Sequence, residues 1–123
     1  MTHHLTAEHL DAELKECIGR CSDCHDICVA TVVHCLTMGG EHASVEHIRT
    51  LLDCAQICET SRDFMLRGSA RHADVCRICA ETCERCADSC ESIGAADETM
   101  ARCAEICRSC AESCRQMAGA TAR

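Results

Sequence analysis

The sequence predicts an all-α fold, an antiparallel up-down-up-down four-helix bundle with a cysteine-lined core, and three observations carry that expectation. The 16 cysteines of the 123-residue chain recur at steps of 3, 4 or 7, the rhythm of one helix face and of the inward seam of a bundle. No proline interrupts the chain, so long helices can run unbroken. Three short Gly-, Ser- or Asp-containing stretches, around 39–44, 67–69 and 94–97, divide it into four segments, and connections that short force antiparallel neighbours. A sheet, whose faces repeat every second residue, is excluded by this spacing. The length accommodates a single domain spanning residues 1–123.

The first helix, expected at about residues 6–38, carries Cys17, Cys21, Cys24, Cys28 and Cys35, and its seam is continued by Leu10, Leu14, Thr31 and Met38. The second, at about 45–67, carries Cys54 and Cys58, flanked on the same face by His47, Leu51, Ser61 and Met65. Cys76, Cys79, Cys83, Cys86 and Cys90 lie on the third, at about 70–93, with His72 and Ile93 at its ends. The fourth, at about 98–118, bears Cys103, Cys107, Cys110 and Cys114 between Met100 and Met117. Gly39, Gly68, Gly94 and Gly119 each follow a periodic run, where a left-handed helix end costs least for glycine, and Ser44, Ser69 and Asp97 stand where N-caps are preferred. The middle of the core is therefore thiol and its ends are Met, His and Leu. Ile18, Val29, Ile57, Ile78 and Ile106 sit beside the seam and are expected to pack helix against helix.

Composition narrows the function. With one Phe and no Trp or Tyr, the chain lacks the side chains that bury most area in an ordinary core, so something else must fill the centre. The net charge of −8 argues against nucleic acid and anionic membranes, which need clustered Lys and Arg. No stretch approaches the roughly 20 apolar residues of a membrane span, and the start, Met1-Thr2-His3-His4-Leu5, shows no basic leader. These features suggest a cytoplasmic location. In a reducing compartment structural disulfides are disfavoured, and a cysteine-rich chain is better read as metal-binding.

Cysteine can act as a small hydrophobe when buried singly, but sixteen on one seam make that reading untenable. Iron–sulfur clusters use Cys-x2-Cys runs on loops that wrap the cluster, often followed by Pro. Here Cys21-Cys24, Cys76-Cys79, Cys83-Cys86 and Cys107-Cys110 continue through helical segments. Zinc is the stronger rival, yet it demands closed tetrahedral sets, and the seam is expected to offer thiols in pairs along a line. Charge separates the candidates further. Buried thiolates need counter-charge, so the thiols must be neutral when empty and lose protons only as metal enters. Four zinc ions would leave half the charge of sixteen thiolates uncompensated. Monovalent Cu(I), soft and content with few thiolate ligands, cancels one thiolate per ion, so many Cu(I) ions per chain is the least costly filling. A zinc-thiolate buffer and an iron–sulfur electron carrier are the alternatives.

Through Cys17 to Cys28, Cys76 to Cys90 and Cys103 to Cys114 on successive helices, joined by Gly-containing turns, the chain resembles the bacterial copper storage proteins over nearly its whole length. The resemblance implies a four-helix bundle whose cysteines hold many Cu(I) ions. It further implies a homotetramer, and, in the absence of a twin-arginine leader, the cytosolic form of the family. Sequestration, detoxification and reserve are the implied roles, exchanged with a copper donor or acceptor protein and without catalysis.

Antiparallel topology gathers His34, Cys35, Met38, His42, His47, Cys90 and Met100 at one mouth. Of these His34, Met38, His47 and Met100 are the candidates for a metal entrance, since thioether and imidazole can pass a soft ion toward thiols. The plainer alternative is that the methionines plug the bundle end and His34 and His42 are solvated. The opposite end, with Leu10, Leu14, Met65, Leu66, His72 and Met117, is more apolar and is expected to close the bundle. Asp53, beside Cys54, is a candidate near the core. His4, third from a free amine if Met1 is removed, would suit a square-planar ion, although a tail with incidental histidines is the simpler reading. His25 beside Cys24 makes a poor nucleophile pair, because adjacent helical residues point to different faces.

Overall fold

A computed structural model describes residues 8–121. Its four helices are α1 (Ala12–Met38), α2 (Val45–Leu66), α3 (His72–Gly94) and α4 (Glu98–Thr121), with a short 3-10 helix at Gly40–Ala43 between α1 and α2. The boundaries follow local chemistry. Asp11 caps α1 by accepting from the Leu14 N–H at 2.9 Å, Ser44 caps α2 through the His47 N–H at 3.2 Å, and Asp97 caps α4 through the Met100 N–H at 3.0 Å. Each satisfies an amide that the first turn leaves unpaired.

Several expectations at the helix ends need correction. α1 begins at Ala12 rather than near residue 6, because Asp11 supplies the cap and residues 8–11 are not helical. The start expected at residue 6, and the histidines of the first residues, lie outside the described residues. Ser69 is not the N-cap of α3: it accepts from the Arg71 N–H within the turn, and the helix starts at His72 without a side-chain cap. Gly39 and Gly68 do take up positive φ, 73° and 63°, at the ends of α1 and α2. Gly94 is the last residue of α3 without a positive φ, and Gly119 lies inside α4.

Each helix packs on its two neighbours in sequence order around a ring, α4 closing on α1, and the backbones of the diagonal pairs α1/α3 and α2/α4 do not approach one another. All 16 cysteines are fully buried and unbridged, and they line the space that the four helices enclose. The flanks are filled differently from expectation. Ile18 is buried and Ile57 and Ile106 are half-buried, but Val29 and Ile78 are 44% and 47% exposed. The close packing of α3 on α4 falls to Ala80, Ala87, Ala104 and Ala111, all buried, since a methyl lets two helices approach where a branched side chain would hold them apart. Asp53 is exposed. Outside, Arg108 of α4 reaches Asp88 at 2.9 Å and Glu91 at 2.5 Å on α3, and Arg115 pairs with Glu84. Exposed pairs of this kind add little stability.

Candidate metal centre

The seam positions of four helices converge so that sulfur meets sulfur across the axis. Cys24 of α1 lies 3.6 Å from Cys54 of α2, 3.7 Å from Cys107 of α4 and 3.9 Å from Cys83 of α3. Cys58 is 3.6 Å from Cys83, 3.8 Å from Cys79 and 3.9 Å from Cys110. Cys28 approaches Cys107 at 3.7 Å and Cys86 at 3.9 Å. Toward the far end, Cys114 lies 3.6 Å from Cys21 and 3.7 Å from Cys17.

These contacts resolve into sets of four sulfurs within 4.8 Å of one another: Cys21, Cys79, Cys110 and Cys114; Cys58, Cys79, Cys83 and Cys110; Cys24, Cys54, Cys58 and Cys83; Cys24, Cys28, Cys54 and Cys107; and Cys28, Cys86, Cys103 and Cys107. Sets of four therefore do exist, contrary to the expectation of pairs along a line, because helices on all four sides contribute at each level. In that order each set shares two sulfurs with the next. They form one continuous column rather than separate sites.

Proton affinity in the column follows from burial and neighbours. The Cys35 thiol is pushed up to about 11, first by burial and then by the negative character of Cys103, Asp97 and Cys86. Cys28, Cys58 and Cys90 are also raised, by hydrogen bonding to neighbouring sulfurs first and by burial in the same direction. Such thiols keep their protons in an empty core. Cys21, Cys24, Cys54, Cys76, Cys103 and Cys110 move the other way, held down first by hydrogen bonds from neighbouring sulfurs and, for Cys76, also by the Ser61 hydroxyl 3.4 Å away.

At the mouth, Cys35 Sγ is ringed by His47 Nε2 at 3.3 Å, Met100 Sδ at 3.5 Å and His42 Nδ1 at 3.6 Å. His47 and Met100 are fully buried, and burial, then the neighbouring His42, pushes the His47 imidazole below its ordinary value, which keeps a ring nitrogen free to bind metal. Its other nitrogen, Nδ1, is 2.7 Å from Ser89 Oγ. The 3-10 helix carries His42 over Cys35, and Gly94 leaves room for it: a Cβ there would stand 3.1 Å from Met100 and 3.2 Å from His42.

The other two candidates for the entrance fare differently. His34 is half-buried and turned away from the sulfurs, its Nε2 2.9 Å from Asp97 Oδ2, with its ring edge-on to His42 at 5.9 Å. Met38 is 55% exposed. It is the last residue of α1, one turn beyond Cys35, and α4 already meets Cys35 with Met100 in its first turn. Ser89 was not legible in the sequence, since it lies off the cysteine seam.

The opposite end is closed by buried Leu10, Leu14, Met65 and Met117. His72 turns its Nδ1 to the Ser69 carbonyl at 2.9 Å. His25 pairs on the surface with Asp26 at 2.9 Å and Glu59 at 3.6 Å, while the Cys24 thiol beside it in sequence is in the core.

Residues 10–119 match the copper storage protein family. Among solved structures, a Nitrosospira multiformis protein is 43% identical, covering 88% of this chain and 96% of that one with a TM-score of 0.82. Copper storage protein 3 from Bacillus subtilis in its apo form is 35% identical, covering 83% and 95% with a TM-score of 0.73. A copper storage protein from Streptomyces lividans, loaded with 10 copper equivalents, is 29% identical, covering 87% and 84% with a TM-score of 0.81; the same organism's protein is also described as cytosolic and holding five coppers. No curated protein matches the chain.

Proposed function

The chain belongs to the copper storage protein family, and from that footing we propose that it stores copper as many Cu(I) ions in the cysteine column of its core. One observation carries the reading for this chain's own residues: successive sets of four sulfurs share two members each. Zinc sites need closed tetrahedra, and thiolates shared between them leave too few ligands for each ion to have its own four. Cu(I) uses shared thiolates of low coordination number, and each ion cancels the charge of one thiolate. All sixteen cysteines, Cys17 to Cys114, are the proposed metal-binding residues.

Loading is a proton exchange. A thiol S–H breaks, an S–Cu bond forms, and the proton leaves to solvent. The mouth is the proposed entrance, with Cys35, His42, His47 and Met100 as its donors; the exposed Met38 and the Asp97-bound His34 do not support a direct part. A storage role without catalysis fits the separation of Cys24 from His25, which keeps the thiol inside and the imidazole outside.

Among the described residues no helix is long and apolar enough to cross a membrane, and the cytosolic Streptomyces lividans relative supports a cytoplasmic setting. Val33, Leu36, Val45 and Leu52 leave α1 and α2 with exposed apolar side chains, which fits contact with another copy, and the proposed homotetramer rests on the family resemblance. A copper donor or acceptor protein would meet the mouth. Anaerobic competition between Cu(I) and Zn(II) at buffered free concentrations tests the reading: Cu(I) should displace zinc throughout the core, and retention of zinc against Cu(I) would overturn it.

A further inference from the structure

Two hydroxyl side chains interrupt the thiol seam, and they are differently placed. Ser61 on α2 is fully buried and lies 3.4 Å from Cys76 Sγ, so a hydroxyl–sulfur pair already exists at the closed end of the column. Thr31 on α1 is equally buried, at 0% exposure, yet its Oγ1 has no hydrogen-bond partner. The usual outlet for a helical threonine is the carbonyl four residues back, and Thr37, Thr50 and Thr82 each take it at 2.8 Å. Thr31 does not. Its neighbours one turn away on the same face are Cys28 and Cys35, the latter at the mouth and the former in the column.

A buried hydroxyl left unpaired is destabilising, and a neutral thiol is a weak acceptor. A thiolate is a strong one, because a hydrogen bond to a charged acceptor is roughly twice as strong as a neutral pair. We propose that Thr31 is a built-in hydrogen-bond donor for the loaded core: its hydroxyl takes up the sulfur of Cys28 or Cys35 when Cu(I) replaces the thiol proton, so the empty protein carries the cost and the loaded protein recovers it. The inference rests on the storage reading above. It makes Thr31 a residue that tunes copper retention without touching copper.

Thr31→Val tests it, since valine keeps the branched shape and removes only the hydroxyl. Reduced, metal-free T31V should melt a few degrees higher than wild type, because the orphaned group is gone. The same variant loaded with Cu(I) should lose it to a competing chelator about tenfold more readily, and Thr31→Ser should restore wild-type retention. T31V that melts higher but holds Cu(I) as tightly as wild type would overturn the inference. Should T31V fail to fold, a crystal structure of the loaded wild-type protein decides: Thr31 Oγ1 within hydrogen-bond reach of a cysteine sulfur supports the role, and a hydroxyl remote from sulfur overturns it. Wild-type protein that holds no Cu(I) would remove the storage reading itself and this inference with it.

Discussion

The Cys24 thiol of α1 lies 3.9 Å from the Cys83 thiol of α3, so sulfur joins two helices whose backbones do not approach each other. An ordinary bundle fills that diagonal with Leu or Phe. Here the diagonal is donor atoms, and the size of cysteine lets four helices come close enough to share them.

Removing thiols from the middle of the column should therefore cut capacity without melting the helices. In the variant with Cys83, Cys86, Cys107 and Cys110 changed to Ala, retained Cu(I) should fall by at least the number of thiols lost, while far-UV circular dichroism stays near wild type because alanine is a strong helix former. Unchanged capacity would show that the copper lies elsewhere.

Metal-free stability should fall on both sides of neutral pH. Cys35 is raised to about 11 in the fold against about 8.5 for a free thiol; the unfolded chain loses that proton first, so stability declines as pH rises from about 8.5 toward 11. His47 is lowered by burial and by His42, so the unfolded chain gains a proton first as pH drops below about 6.5, and stability declines there too. Anaerobic thermal melts across this range check both limbs, and Cys35→Ser should make the alkaline one shallower, leaving the share that Cys28, Cys58 and Cys90 contribute.

The mouth should set rate rather than capacity. Met100→Leu and His47→Phe are expected to slow Cu(I) loading in stopped-flow measurements while leaving total uptake within about one ion per chain, because both side chains flank Cys35 outside the main column. Met38→Ala should change neither, given its exposure. Slowing by Met38→Ala equal to that of Met100→Leu would move the entrance outward.

Gly39 holds φ at 73° with open space around its missing side chain, so Gly39→Ala carries strain alone. With ψ at −166° as well, this is a conformation almost confined to glycine, and a loss of about 1–3 kcal/mol should appear as a melting temperature lower by several degrees, with copper capacity intact.

Much of this is legible in the sequence. The 3-4 spacing of cysteines specified the inward face of each helix, and Ser44, Asp97, Gly39 and Gly68 marked real boundaries because capping and positive φ are local. Positions set by tertiary packing were less so. Val29 and Ile78 look as suitable for packing as Ile18, but only the angular position of each around its helix decides, and alanines took the α3–α4 contact. Met38 continues the seam in sequence yet overshoots the bundle, since where the neighbouring helices end is not written in α1. Ser89 bonds His47 from off the seam, and no spacing rule points to it.

The measurement that tests the central claim most directly is anaerobic titration of the fully reduced chain with Cu(I) against a competing chelator, followed by metal analysis. A continuous column of shared sulfurs should retain Cu(I) at about one ion per thiol, and saturation at about four ions or fewer, the number that separate tetrahedral sites would allow, would contradict it.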